Sequence, residues 1–314
     1  MIAIATLVGA RLIQFSAALI LFGAPMFFLY GFEAGGSPTA IAERSRWQRS
    51  IVLTAAVFAL LGALVWIFSE TAAVSDDPND AFNAAALWLI LSKTHFGHAA
   101  LARIALLIVS IGSSLCVRRP RTLWVVQTLL GGGIVTSFAW TGHGATSRGA
   151  VGMIHLAADL LHLLTAGIWI GALFSLLVLI VRSNNSRAFE AVRAAQFGLD
   201  RFSAIGVLVV AVLVLSGLVN SWFLIAPHWH ALLTTPYGII LLVKLALFVG
   251  MLGLAALNRY WAAPSLRDSL NHQSPTRQSL HALRTTLVTE TGLALLVLIS
   301  VSILGMLVPP VSAA

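Results

Sequence analysis

The sequence predicts an all-α, polytopic integral membrane helix bundle of about eight transmembrane helices, and three observations predict it. Mean hydropathy is +0.93, with 59% hydrophobic and only 10% charged residues in 314, where a soluble domain carries about a quarter charged. Eight apolar runs reach the ~20 residues that a helix needs to cross the hydrocarbon core. The loops between them alternate in charge, as the loops of a multi-pass protein do. One transmembrane domain is expected over residues 1–314.

Each span has its own signals. The first, 4–30, holds Pro25, which removes a helix hydrogen bond and predicts a kink. It has no basic stretch before its apolar run and no small-residue cleavage site, so it is expected to stay as a span. The second is 48–69. The segment 81–95, "AFNAAALWLILSKTH", is apolar but too short to cross; it is expected on the surface or partly re-entrant, as a lid beside His95 and His98. The third and fourth spans are 99–117 and 122–141, and "GGG" at 131–133 offers close approach to another helix. The remaining spans are 151–181, 203–225, 236–259 and 286–308. No low-complexity tract and no internal repeat stands out.

The loops at 31–47, 118–121, 182–202 and 260–285 collect arginine, whereas the alternate loops carry Glu70, Asp76, Asp77 and Asp80. The positive-inside rule then places the basic loops in the cytoplasm and both termini outside. The same rule accounts for the net charge of +8, so nucleic acid is not an expected partner. Trp47, Trp66, Trp88, Trp124, Trp140, Trp222, Trp229 and Trp261 fall near span ends, where an aromatic belt meets the lipid headgroups. The single cysteine, Cys116, excludes an intramolecular disulfide and a cysteine metal cluster.

The fifth span, "MIHLAADLLHLLTAGIWIG", places His155, Asp159 and His162 at spacings of four and three, on one helix face. Such a stripe is costly against lipid and should face protein, water or an ion. On the predicted topology, seven of the nine histidines lie outside or within reach of the outer side: His95, His98, His143, His155, His162, His228 and His230. Histidine is a common metal ligand, so the pattern reads as a capture funnel for a metal arriving from outside. One helix cannot close a coordination shell by itself, and His143, Met153 and Met306 are candidates to complete it. A Met thioether favours Cu(I), and imidazole suits either copper oxidation state.

Arg11, Arg103, Lys244 and Glu290 are also intramembrane. Asp159 is expected to pair with Arg103 or Lys244, and Glu290 to sit on the inner leg of a polar path. A purely structural role for these groups is the competing reading. There is no Walker A motif, no H-E-x-x-H and no Cys-Pro-Cys motif, so transport, binding or electron transfer is expected rather than enzymatic turnover.

Four segments carry a resemblance: "HLAADLLHLLTAGIWIGAL" at 155–173, "RFSAIGVLVVAVLVLSGLVNSW" at 201–222, "YGIILLVKLALFVGMLGLAALNRY" at 237–260 and the glutamate of "LVTETGLALLVL" at 287–298. In order and spacing they resemble the CopD/PcoD family of bacterial inner-membrane copper-resistance proteins. The resemblance implies a multi-pass protein of the inner membrane that accepts copper from the periplasm and helps move it into the cytoplasm. It also implies a separate periplasmic copper carrier as partner, because no soluble copper-binding domain of the kind fused members carry is seen here. His155, Asp159 and His162 fall in the family's polar helix; Lys244, Asn258, Arg259 and Glu290 fall in its later blocks. The expected metal donors are His143, Met153, His155, Asp159 and His162. Asp159 acts as ligand or as the acceptor that orients an imidazole. Arg103, Lys244 and Glu290 balance charge, and His95, His98, His228 and His230 capture copper at the outer face. Two alternatives stay open: a b-type haem redox protein, and an assembly factor that inserts copper into an oxidase.

Overall fold

The computed structural model describes residues 2–32, 38–75, 77–141, 149–182, 188–271 and 277–312. Among them all regular structure is helical. The order is α1 (Ile2–Tyr30), α2 (Pro38–Ser75), α3 (Ala84–Lys93), α4 (His95–Cys116), α5 (Pro120–Thr136), α6 (Gly149–Arg182), α7 (Ala188–Ile225), α8 (Ala231–Thr234), α9 (Pro236–Leu257), α10 (Ala263–Asn271) and α11 (Arg277–Leu304). Among the described residues eight helices are long and apolar enough to cross a membrane, one for each expected span. They run up and down the bundle in chain order, with α3 and α8 as short helices at one end.

Several helices overrun the predicted spans. Arg44, Arg46 and Trp47, expected in a loop, lie within α2, and α7 begins at Ala188. Long basic side chains let a helix continue past the hydrocarbon, because the stem stays on apolar surface while the head reaches polar groups. Arg49 illustrates this: its guanidinium donates to the Ser114 carbonyl at 3.1 Å and the Arg118 carbonyl at 2.8 Å, closing the C-terminal end of α4. Arg267 pairs with Asp200 at 2.7 Å between α10 and α7.

The first helix is the axis of the packing and touches α2, α5, α6 and α11. Small residues make that possible. A Cβ at Gly131 would stand 2.7 Å from Phe22 Cα, so the "GGG" of α5 does seat α1 closely. At the α1–α6 crossing, Gly23 abuts the Gly167 carbonyl and Gly171, backbone against backbone. The tryptophan belt holds for Trp88, Trp140, Trp222, Trp229 and Trp261, which are exposed. It fails for Trp66 and Trp124, which are buried. Trp66 packs against Phe15, Phe96 and Phe138, an interior aromatic cluster that apolar contact favours over the headgroup region.

The helices also reveal a repeat that the expected pattern lacked. Thr94 and Thr235 each follow a short helix and cap the next one, accepting from the amides of Gly97 at 2.9 Å and Gly238 at 3.1 Å. Both threonine hydroxyls donate back to the preceding short helix, at 2.7 Å in each case. Arg103 lies nine residues after Thr94, and Lys244 nine after Thr235. With α1 laid on α6, Ala10 matches Ala158, Leu12 matches Leu160, Ile20 matches Ile168, and Gly23 matches Gly171, all 148 positions apart. In the same register Arg11 answers Asp159 and Gln14 answers His162. Gly62 of α2 lies under Gln14 as Gly217 of α7 lies under His162. Two four-span units, α1–α5 and α6–α11, therefore repeat these features, although α2 packs on α4 where α7 and α9 stand apart. An even number of crossings per unit makes them run the same way, related by an axis along the bundle. Gly23 and Gly171, equivalent positions in that register, meet at the α1–α6 crossing.

Candidate functional site

The stripe on α6 opens into a cavity of about 250 Å³. Its walls come from α1, α6, α7, α9 and α11, together with Phe138 and Thr141 just beyond α5. His155, Asp159 and His162 all line it, as do Arg11, Asn220, Ser221 and Lys244. Thr141, Leu224, Tyr237 and Leu304 put it toward the bundle end that the charge pattern assigns to the outside.

His155 is 4% exposed and its ring stacks on Phe223 of α7, centroids 4.7 Å apart. His162 is held differently. Its Nδ1 faces the Leu213 carbonyl and the Ser216 hydroxyl oxygen, each at 3.2 Å. The carbonyl can only accept, and Ser216 already donates to the Val212 carbonyl at 2.6 Å. Nδ1 therefore carries the hydrogen, which leaves the Nε2 lone pair available to a metal. Gly217 makes room for this ring.

Asp159 accepts from Asn220 Nδ2 at 3.4 Å. It is therefore not the acceptor that orients His162; backbone and Ser216 do that. The ammonium of Lys244 shares the cavity with Asp159, and the two charges interact. Of the two cations expected to balance Asp159, Lys244 is the one in place. Arg103 is elsewhere: 1% exposed, it donates to Ser137 Oγ at 2.8 Å, to the Ser137 carbonyl at 3.3 Å and to Gln14 Oε1 at 3.4 Å. Its guanidinium lies 4.0 Å from the Phe138 ring centroid. Neutral oxygens and aromatic faces, not Asp159, accommodate its charge.

The remaining expected donors separate. Met153 is 71% exposed and does not line the cavity, because two residues before His155 is the opposite side of a helix. Met306 packs against the main apolar core. His143 lies outside the described residues. His95, His98, His228 and His230 do not line the cavity. His98 instead meets the Ser92 carbonyl at 3.0 Å, and His228 and His230 lie edge to face at 6.3 Å. The short helix α3 packs on α2 and α4, away from the cavity, so it is not its lid. Among the described residues no three of His, Cys, Asp and Glu come close enough to close round one metal ion. The stripe thus offers donors singly or in pairs. A haem held between facing histidines finds no second histidine on α7, α9 or α11 along this cavity.

Glu290 anchors a second cavity of about 370 Å³ nearer the other end of the bundle. It is 3% exposed; Trp169 Nε1 donates to Oε1 at 2.9 Å and Asn258 Nδ2 to Oε2 at 3.0 Å. Thr286 in turn donates to Asn258 Oδ1. Asn258 starts a π-helical turn, Asn258–Ala262, the kind of local widening that recurs at functional positions. Along α9 the two cavities end and begin at Lys244 and Leu252, roughly 12 Å of helix apart. Trp169 and Phe248, edge to face with centroids 5.9 Å apart, stand between them. Sequence reasoning missed Arg11, Gly217 and Asn220 as parts of the first cavity, and Ser216 as a partner of His162. Polar residues at spacing four in the apolar "SGLVN" of α7 were the available signal.

Two family models match the chain: copper resistance protein D-like, N-terminal domain, over residues 1–153, and copper resistance protein D over residues 198–304. Copper resistance protein D of Pseudomonas syringae pv. tomato is 31% identical over 98% of this chain and 97% of its own length. Inner membrane protein YebZ of Escherichia coli K12 is 28% identical over 97% of the chain and 98% of its own length. Copper transport protein CutJ of Bacillus subtilis is 29% identical over 79% of the chain, which spans 45% of that relative. No solved structure matches the chain.

Proposed function

Because the chain belongs to the copper resistance protein D family, we propose that it handles copper in the inner membrane, accepting the ion at the periplasmic end and helping to pass it inward. The observation that carries this reading is the single cavity shared by His155, Asp159 and His162, with His162 Nε2 left free by its Nδ1 hydrogen bonds. Copper is the cargo here, and sparse donors suit a cargo. An ion that must leave again is better served by several weak sites in series than by one closed shell. His155, Asp159 and His162 lie at successive depths, covering roughly 10 Å of helix. His143, outside the described residues, is the further donor that the sequence offers. Beyond the Trp169–Phe248 pair, the Glu290 carboxylate is the next negative group on the inward course. The name of the Bacillus subtilis relative, a copper transport protein, fits this direction of thought. A separate periplasmic carrier delivers the ion.

The test is metal content. Detergent-purified protein and its His155→Ala/His162→Ala variant are exposed to copper or zinc, desalted and measured by mass spectrometry. The wild type is expected to keep copper and the variant to lose it, both eluting as monodisperse protein. Equal, negligible copper in both would demote the stripe to helix packing.

A further inference from the structure

We propose that the first cavity also binds a small anion of the halide class, held between the Arg11 guanidinium and the Lys244 ammonium. The proposal deepens the copper reading of the same cavity and rests on it only for the ion that the anion accompanies; the anion site itself stands on charge.

Arg11, Lys244 and Asp159 line this cavity, and behind its wall Arg11 has Glu70 and Arg103 as charged neighbours, so these five described residues comprise three cations and two carboxylates. Both carboxylates already hold a neutral donor, Asn220 on Asp159 and Trp66 Nε1 on Glu70 at 3.1 Å. One positive charge is left without a counterion. The repeat explains why: in the second unit the equivalent positions are Asp159 and Lys244, which cancel, whereas in the first they are Arg11 and Arg103, which add.

The excess is exposed to the cavity through Arg11. It is only 9% exposed, its Nε has no hydrogen-bond partner, and its guanidinium lines the cavity wall. The guanidinium rests on the Trp66 ring at 4.8 Å and the Phe15 ring at 5.7 Å. Aromatic faces stabilise the cation but do not neutralise it. Lys244 reaches the same space from α9. A buried charge in a membrane interior needs a partner, and an entering copper ion makes the excess larger. A halide between the two cationic heads removes it and turns an electrostatic barrier into an attractive site.

The experiment is chloride NMR on copper-free, detergent-purified protein, reading the protein-dependent line width of sodium chloride and its displacement by sodium bromide. We expect saturable broadening that is lost in Arg11→Gln and in Lys244→Met. It should be kept in Arg11→Lys, which preserves the charge, and in His155→Ala/His162→Ala, which removes only metal donors. Should Arg11→Gln not yield monodisperse protein, Lys244→Met carries the comparison. Broadening that is absent, or equal in the wild type and the neutral variants, overturns the proposal. The sample contains no copper, so broadening without copper retention leaves the anion site standing while the copper reading fails.

Discussion

Gly217 lies against the imidazole of His162: a Cβ at that glycine would stand 3.3 Å from Cε1 and 3.5 Å from Nδ1. That ring is held by two acceptors at 3.2 Å, so a displacement of a few tenths of an ångström strains both hydrogen bonds at once. Gly217→Ala is expected to lower copper retention only modestly, and Gly217→Val to abolish most of it. Both variants should keep wild-type yield and helix content by circular dichroism. Full retention in Gly217→Val would mean that the position of His162 does not matter to the ion.

Met153 provides the opposite expectation. Its side chain points away from the cavity, so Met153→Ala should retain as much copper as the wild type while His162→Ala does not. The pair of variants, measured side by side for metal content, separates a donor role from mere position near the mouth. A marked loss in Met153→Ala would require a rearrangement of the first turns of α6.

The fold was legible because crossing a bilayer imposes length and apolarity, and those leave marks in every span from α1 to α11. The stripe of His155, Asp159 and His162 was legible for a related reason: polar groups stand out in an apolar helix, and the period of the helix puts them on one face. Partners across helices were not. Asp159 facing Lys244 rather than Arg103 depends on how α6 and α9 are rotated, which local pattern does not encode. Nor did pattern reveal that Trp66 turns inward, since a tryptophan near a span end satisfies either an interface or an aromatic core. The repeat was written in the sequence all along, in "THFGHAALAR" and "TPYGIILLVK". Its polar positions had changed sign or type, Asp159 answering Arg11 and His162 answering Gln14, which hides it from a search for like residues.

The α1–α6 crossing tests the fold itself. Gly23 and Gly171 meet with no room for a Cβ on either side, and the atoms in the way are backbone, which cannot swing aside. Gly171→Val is expected to cost at least about 2–3 kcal/mol by overpacking. The readout is loss of monodisperse protein or a lower melting temperature in detergent. Gly9 and Gly112, which have nothing within reach of a Cβ, serve as controls and should accept alanine with little change.

Glu290 distinguishes capture from passage. Its two oxygens take hydrogen bonds from Trp169 and Asn258, so Glu290→Ala orphans two buried donors, each worth about 1–3 kcal/mol, and is expected to destabilise the bundle. Glu290→Gln is the informative variant: it keeps the acceptor for Trp169 and sets an amide against the Asn258 donor, removing the charge at a smaller structural cost. The first cavity lies roughly 10 Å away along α11, so copper retained there should be unchanged. Copper taken up by cells or by reconstituted vesicles should fall several-fold, because the inward course loses its negative group. Uptake equal to wild type would confine Glu290 to holding Trp169 and Asn258 in place, and would leave the second cavity outside the path. Loss of retention together with uptake would mean instead that the two cavities are coupled through Trp169, whose ring spans the gap between them.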